Sequence, residues 1–167
     1  AEGYDVTRSN LTPSHCSQSI QDDNLGVETI QNSISIAAAD KLVESDGLQD
    51  VIICRHLIEH AYDFERFVEG VVGTVRIGGL VFFEFPSSEK SFIQADCSIY
   101  WEEHTFYFCE MSFLALMEKK FGNLEAIYHR TFDLPGESIS VVLFRKLEKP
   151  SFRHRRRTST NGGLLDL

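Results

Sequence analysis

The chain has 167 residues, 43% hydrophobic and 25% charged, which excludes a wholly disordered or collagen-like chain and suggests one domain. Its apolar runs stop at about five residues, far short of the ~20 that a transmembrane helix needs. The net charge of −9 is uneven: residues 1–144 hold 9 Lys+Arg against 23 Asp+Glu, a net of −14, and residues 145–167 hold 7 against 2, a net of +5. An acidic body excludes a broad nucleic-acid surface.

The predicted elements begin with a short strand over Tyr4–Leu11, closed by a polar turn from Asn10 to Ser14. Residues 14–24 are polar with weak helical potential. Thr29–Ala38 alternates loosely through Ile34 and Ile36 and predicts a second short strand ending at Asp40. Asp46-Gly47 marks a turn. Asp50–Cys54 is β-branched and apolar on both faces, the pattern of a buried strand. Leu57, Ile58, Ala61, Phe64, Phe67, Val68, Val71 and Val72 then recur at helical spacing, on one helix or two in series.

Gly78-Gly79 closes that stretch, Leu80–Phe85 follows as a second buried strand, and Pro86 ends it. Strand, helix, strand is a βαβ unit with parallel strands. Residues 87–108 are irregular and rich in aromatics. Glu110–Phe121 predicts a helix. Leu124–Thr131 and Ser138–Phe144 predict two strands around a Pro135-Gly136 turn, paired antiparallel. Residues 149–167, with the run Arg153-His154-Arg155-Arg156-Arg157, are a basic tail without periodicity, expected to be disordered. The domain is thus expected over residues 1–148.

The elements make an α/β fold, an open sheet with an antiparallel C-terminal edge. Ligands in such sheets sit beyond the carboxyl ends of the strands. Those ends are Asn10, Asp40, Cys54–His56 and Phe85–Ser87. The four cysteines form no C-x-x-C pair and no zinc-knuckle spacing. Residues Ala1 to Asp5 carry neither the basic nor the apolar region of a signal peptide. Reduced thiols in a cytoplasmic protein are the expectation.

Three segments carry a resemblance. Asp50-Val-Ile-Ile-Cys-Arg-His-Leu-Ile-Glu-His60 resembles the strand-4 segment of class I S-adenosylmethionine (SAM) methyltransferases. Gly78-Gly79-Leu80-Val-Phe-Phe-Glu-Phe-Pro86 resembles their fifth strand. Tyr100-Trp-Glu-Glu-His104-Thr-Phe-Tyr-Phe108 resembles the Glu-His, aromatic-rich segment of a subgroup that includes sugar C-methyltransferases. The resemblance covers roughly residues 3–147 and implies a Rossmann-like, mostly parallel, doubly wound α/β sheet with an antiparallel C-terminal edge.

It implies SAM as cofactor and a small-molecule acceptor, with a sugar nucleotide as its suggestion. It further implies that Asn10 meets the ribose, Asp40 the adenine amino group, and Arg55 and His56 the methyl-donor pocket. His104 would be the base, assisted by Glu103, with His60 bordering the substrate site as its substitute. No metal is implied. Asp40 has a second reading as a helix N-cap, and Arg55 as a surface ion-pair partner.

The family's glycine-rich loop is absent, and Asn10 stands where the family has an acidic residue. The chain therefore reads as lacking strand 1 and as part of a larger protein. The exposed sheet edge would suit a partner chain or a homo-oligomer. A non-catalytic methyltransferase-like subunit or scaffold is the alternative. A remote one is a zinc peptidase, because His56-Leu57-Ile58-Glu59-His60 is H-x-x-E-H, with Glu137 or Glu118 as a distant third ligand.

Overall fold

The computed structural model describes residues 36–101 and 103–148. Asn10, the expected strand Tyr4–Leu11 and the basic tail lie outside the described residues, as does most of the expected strand Thr29–Ala38.

The first described element is a helix, α1, over Ile36–Asp46. This corrects the strand expected to run through Ala38. Ala37, Ala38 and Ala39 favour helix, and they outweigh a two-residue alternation. Ala38 and Ala39 are buried where α1 meets α2 (Phe64–Gly73). Gly73 lies at that contact, where a Cβ would meet the Ala39 Cβ at an ordinary 3.6 Å. Gly47 ends α1 at φ +76°, its N–H bonded to the Val43 carbonyl.

β1 spans Gln49–Arg55, and its parallel neighbour β2 spans Val75–Pro86. Between them lie a 3₁₀ turn, Ile58–His60, and α2. Asp63 caps α2 by accepting the Arg66 N–H at 3.1 Å. The apolar series at helical spacing thus divides: Ile58 and Ala61 belong to the turn, and Phe64 to Val72 to α2, whose Phe67, Val68, Val71 and Val72 are buried.

β2 starts at Val75 rather than Leu80. Gln49 pairs with Val75 and Val51 with Leu80, so β2 carries extra residues across this step. Gly78 takes φ +79° there. The carboxyl end of the unit is where the sequence placed it.

A short helix α3, Glu89–Gln94, and a 3₁₀ turn, Cys97–Ile99, occupy part of the aromatic stretch expected to be irregular. Helix α4 spans Glu110–Lys120, and the hairpin of β3 (Leu124–Leu134) and β4 (Glu137–Lys146) turns at Gly136, φ +90°. The sheet order is β1-β2-β4-β3, with β4 antiparallel to both neighbours. The fold is therefore the expected α/β sheet with an antiparallel C-terminal edge.

One sheet face carries Cys54, Val81, Phe83, Phe85, Val142 and Phe144 into the core with α2 and α4. Rings dominate this core: Phe85 and Phe113 lie 4.5 Å apart by centroid, and Phe83 and Phe113 5.6 Å. The opposite face holds Val51, Ile53, Leu80, Phe82, Val141 and Leu143, none of them buried. Cys54, expected in the core, is there, and burial pushes its thiol far up. Among the described residues Cys54, Cys97 and Cys109 are free thiols. No helix among them is long and apolar enough to cross a membrane.

Candidate active site

The carboxyl ends of β1 and β2 open into a cavity of about 560 Å³. Its floor is the turn after β1, and its roof is the aromatic segment before α4. His56 leaves β1 at φ +49°, a conformation few side chains adopt, and its N–H bonds the Glu84 carbonyl at 2.9 Å. That turn of the chain drops Glu59 and His60 into the 3₁₀ turn beneath the cavity.

Two sets of bonds tie floor to roof. The Thr105 hydroxyl hydrogen is shared between the carbonyls of Ala61 and Glu59, at 2.8 and 3.1 Å, and the N–H groups of Thr105 and Phe106 also donate to the Glu59 main-chain carbonyl. In return His60 Nδ1 lies 2.9 Å from the Glu103 carbonyl. A carbonyl only accepts, so Nδ1 carries the proton and, in the neutral ring, Nε2 carries the lone pair.

The result is a compact group of polar side chains. The rings of His60 and His104 meet edge to face at 4.6 Å. His60 Nε2 is 3.9 Å from Glu59 Oε1, and His56 Nδ1 is 3.5 Å from the same oxygen. Glu59 is only 3% exposed. Neither of its oxygens has a hydrogen-bond partner among the described residues, and nor has the Ser87 hydroxyl, also at the cavity wall. Burial pushes the Glu59 carboxyl above its ordinary range, and its own main-chain N–H, then the imidazoles of His60 and His56, pull it only part of the way back. Burial, and then the nearby His60 and His56, hold His104 below the ordinary histidine value of 6.5. Trp101 and Tyr107 flank the His104 ring at 5.3 and 5.9 Å.

The structure brings His56, His60 and His104 together and leaves two of the named residues apart. Asp40 is exposed within α1, so its expected place at a strand end is corrected, and it is no N-cap either. Arg55 is largely exposed, with its guanidinium on Glu84 at 2.8 Å. Glu103 contributes its main-chain carbonyl. The carboxylate within 4 Å of both His56 and His60 is that of Glu59, which the sequence placed beside His60 without a role in methyl transfer. The H-x-x-E-H helix is not formed, because the positive φ at His56 and the 3₁₀ turn set His56 and His60 off any common α-helical face.

For SAM the fit is partial. A sulfonium is drawn to carboxylates and ring faces, and Glu59, Glu137, Tyr100, Trp101 and Tyr107 all line the cavity. The expected adenosine contacts are not assembled among the described residues.

No family model matches the chain, and no curated protein matches it either. Solved structures do. The N-methyltransferase NodS from Bradyrhizobium japonicum aligns at 16% identity over 60% of this chain and 52% of its own, TM-score 0.43. Its complex with S-adenosyl-L-homocysteine aligns at 15% identity over 59% and 46%, TM-score 0.43. The chain thus spans about half the length of NodS. The YcgJ protein from Bacillus subtilis aligns at 10% identity over 68% of this chain and 79% of its own, TM-score 0.45.

Proposed function

We propose that this chain binds SAM and serves methyl transfer to a small molecule, a sugar nucleotide being the class that the resemblance of its aromatic Glu-His segment suggests. One observation carries the reading: at the carboxyl ends of β1 and β2, a cavity presents two imidazoles in contact and buried oxygens without partners. A polar acceptor would satisfy those oxygens.

SAM, when bound, supplies an electrophilic methyl group. The chain's own residues do the rest. His104 lies on the cavity wall with its basicity lowered, so it is neutral near pH 7 and free to take a proton from the acceptor. His60 is locked in orientation by Glu103 and borders the same space. Trp101 and Tyr107 pack beside the His104 ring and form an aromatic wall for the acceptor. Alignment of donor and acceptor supplies the remaining acceleration.

Calorimetric titration of the folded chain with SAM tests the reading. One-to-one binding is expected. A chain that is folded by circular dichroism and binds no SAM overturns it and leaves a methyltransferase-like scaffold.

A further inference from the structure

Glu59, His60 and His104 each present a ligand atom, and these atoms lie within 4.8 Å of one another. Two imidazole nitrogens and one carboxylate oxygen suit first-row divalent transition metals. Mg²⁺ and Ca²⁺ prefer all-oxygen sites.

Two features separate this group from chance proximity. The Glu59 carboxylate is buried, and both its oxygens lack partners among the described residues. A buried carboxylate whose nearest imidazole nitrogens stand 3.5 and 3.9 Å away is incompletely compensated, and a cation between them would complete it. His60 already has the support common to metal-binding histidines: Nδ1–H is held by a backbone carbonyl, and Nε2 is left toward Glu59. A cation about 2.1 Å from each donor sets the donors roughly 3–4 Å apart. Side-chain rotations of about 1 Å therefore close the site. His56, tied to Glu84 at 3.2 Å, stands behind Glu59 and outside the group.

We infer that Glu59, His60 and His104 bind one divalent transition-metal cation at the carboxyl ends of β1 and β2, with its remaining positions open to the cavity. What the cation does there rests on the methyltransferase reading, although its binding does not. An oxygen acceptor on the cation is acidified. His104 serves as base in the cation-free protein; with the cation bound both imidazole lone pairs are engaged, and the acidified acceptor's proton passes to solvent.

The test is titration of the whole chain with Mn²⁺, followed by loss of the free-ion paramagnetic signal, then displacement by Zn²⁺. One Mn²⁺ per chain is expected. His104→Ala, at a half-buried position, and the isosteric Glu59→Gln should each weaken binding by about tenfold or more. His129→Ala, whose imidazole pairs with Glu110, should leave binding unchanged. Failure of the folded wild type to bind either ion, or unchanged affinity in both site variants, overturns the inference. SAM titration of the same sample keeps the two readings separate. SAM binding without cation binding overturns this inference alone, and cation binding without SAM binding overturns the methyltransferase reading alone.

Discussion

The Nδ1 of His60 and the main-chain carbonyl of Glu103 lie 2.9 Å apart although 43 residues separate them in the chain. That bond joins the turn after β1 to the aromatic segment before α4. It sets which nitrogen of His60 faces the cavity. Thr105 answers it from the other side, with its hydroxyl on Ala61 and Glu59. The geometry of His60 against His104 depends on these few bonds, because the segment around His104 contains no regular helix or strand.

Thr105→Val keeps the shape of the side chain and removes both hydroxyl bonds. The main-chain bonds from residues 105 and 106 to Glu59 remain, so the protein should still fold. A loss of about 1–2 kcal/mol is expected in urea unfolding, with an unchanged m-value. The larger effect should fall on methyl transfer, roughly ten- to a hundredfold, since the two histidines lose their fixed spacing. A variant with full turnover would show that the lacing does not position them.

The depressed basicity of His104 sets a pH dependence. Burial, His60 and His56 all favour its neutral form. A group whose folded value is lowered contributes stability that is present above its ordinary value, here 6.5, and lost as pH falls through the lower folded value. With His104 as base in the cation-free protein, the acid limb of turnover should lie below pH 6.5. Proton NMR titration of the His104 ring checks this directly, and a midpoint at or above 6.5 contradicts it.

Much of the fold was legible because β1, α2, β2 and the final hairpin are strongly patterned. Cys54 and Phe83 face the core from adjacent strands, as the apolar runs require. Residues 36–40 misled, since Ile34 and Ile36 suggest alternation while three alanines and packing on α2 impose helix. In the site, His60 and His104 were readable as residue types at strand ends and loops. The choice of Glu59 over Glu103 as the neighbouring carboxylate was not. It depends on the positive φ of His56 and on the direction of one side chain, neither of which has a sequence signature. Thr105 gave no signal at all, because its partners are main-chain carbonyls.

The bulge in β2 makes a second prediction about stability. A Cβ on Gly79 would meet Val75 Cγ1 at 2.6 Å and the backbone oxygens of Arg76 and Asp50 at 2.9 Å. Two of these atoms are main chain and cannot yield without moving the strands. Gly79→Ala should destabilise by about 2–3 kcal/mol through overpacking. Gly78→Ala has space but not the right φ, and should cost about 1 kcal/mol. Thermal unfolding of both variants checks the order, and a Gly79→Ala protein as stable as wild type would mean that the bulge is not fixed.

Glu59 is where stability and function should pull apart. Its carboxyl is raised chiefly by burial. A group raised in the folded state contributes stability that is full below its ordinary value, 4.5, and is lost as pH rises through the folded value. Where pH exceeds the folded value, the ionised carboxylate is therefore a destabilising element. Glu59→Gln should raise stability there by about 1 kcal/mol, or roughly 2–4 °C in Tm, and the gain should vanish below pH 4.5. Added Mn²⁺ should reverse the ranking, because the cation stabilises the wild type by mass action and the variant much less. Melting curves of the two proteins with and without Mn²⁺ read both effects. A wild type that is the more stable in the absence of the ion would show that its carboxylate already has a partner.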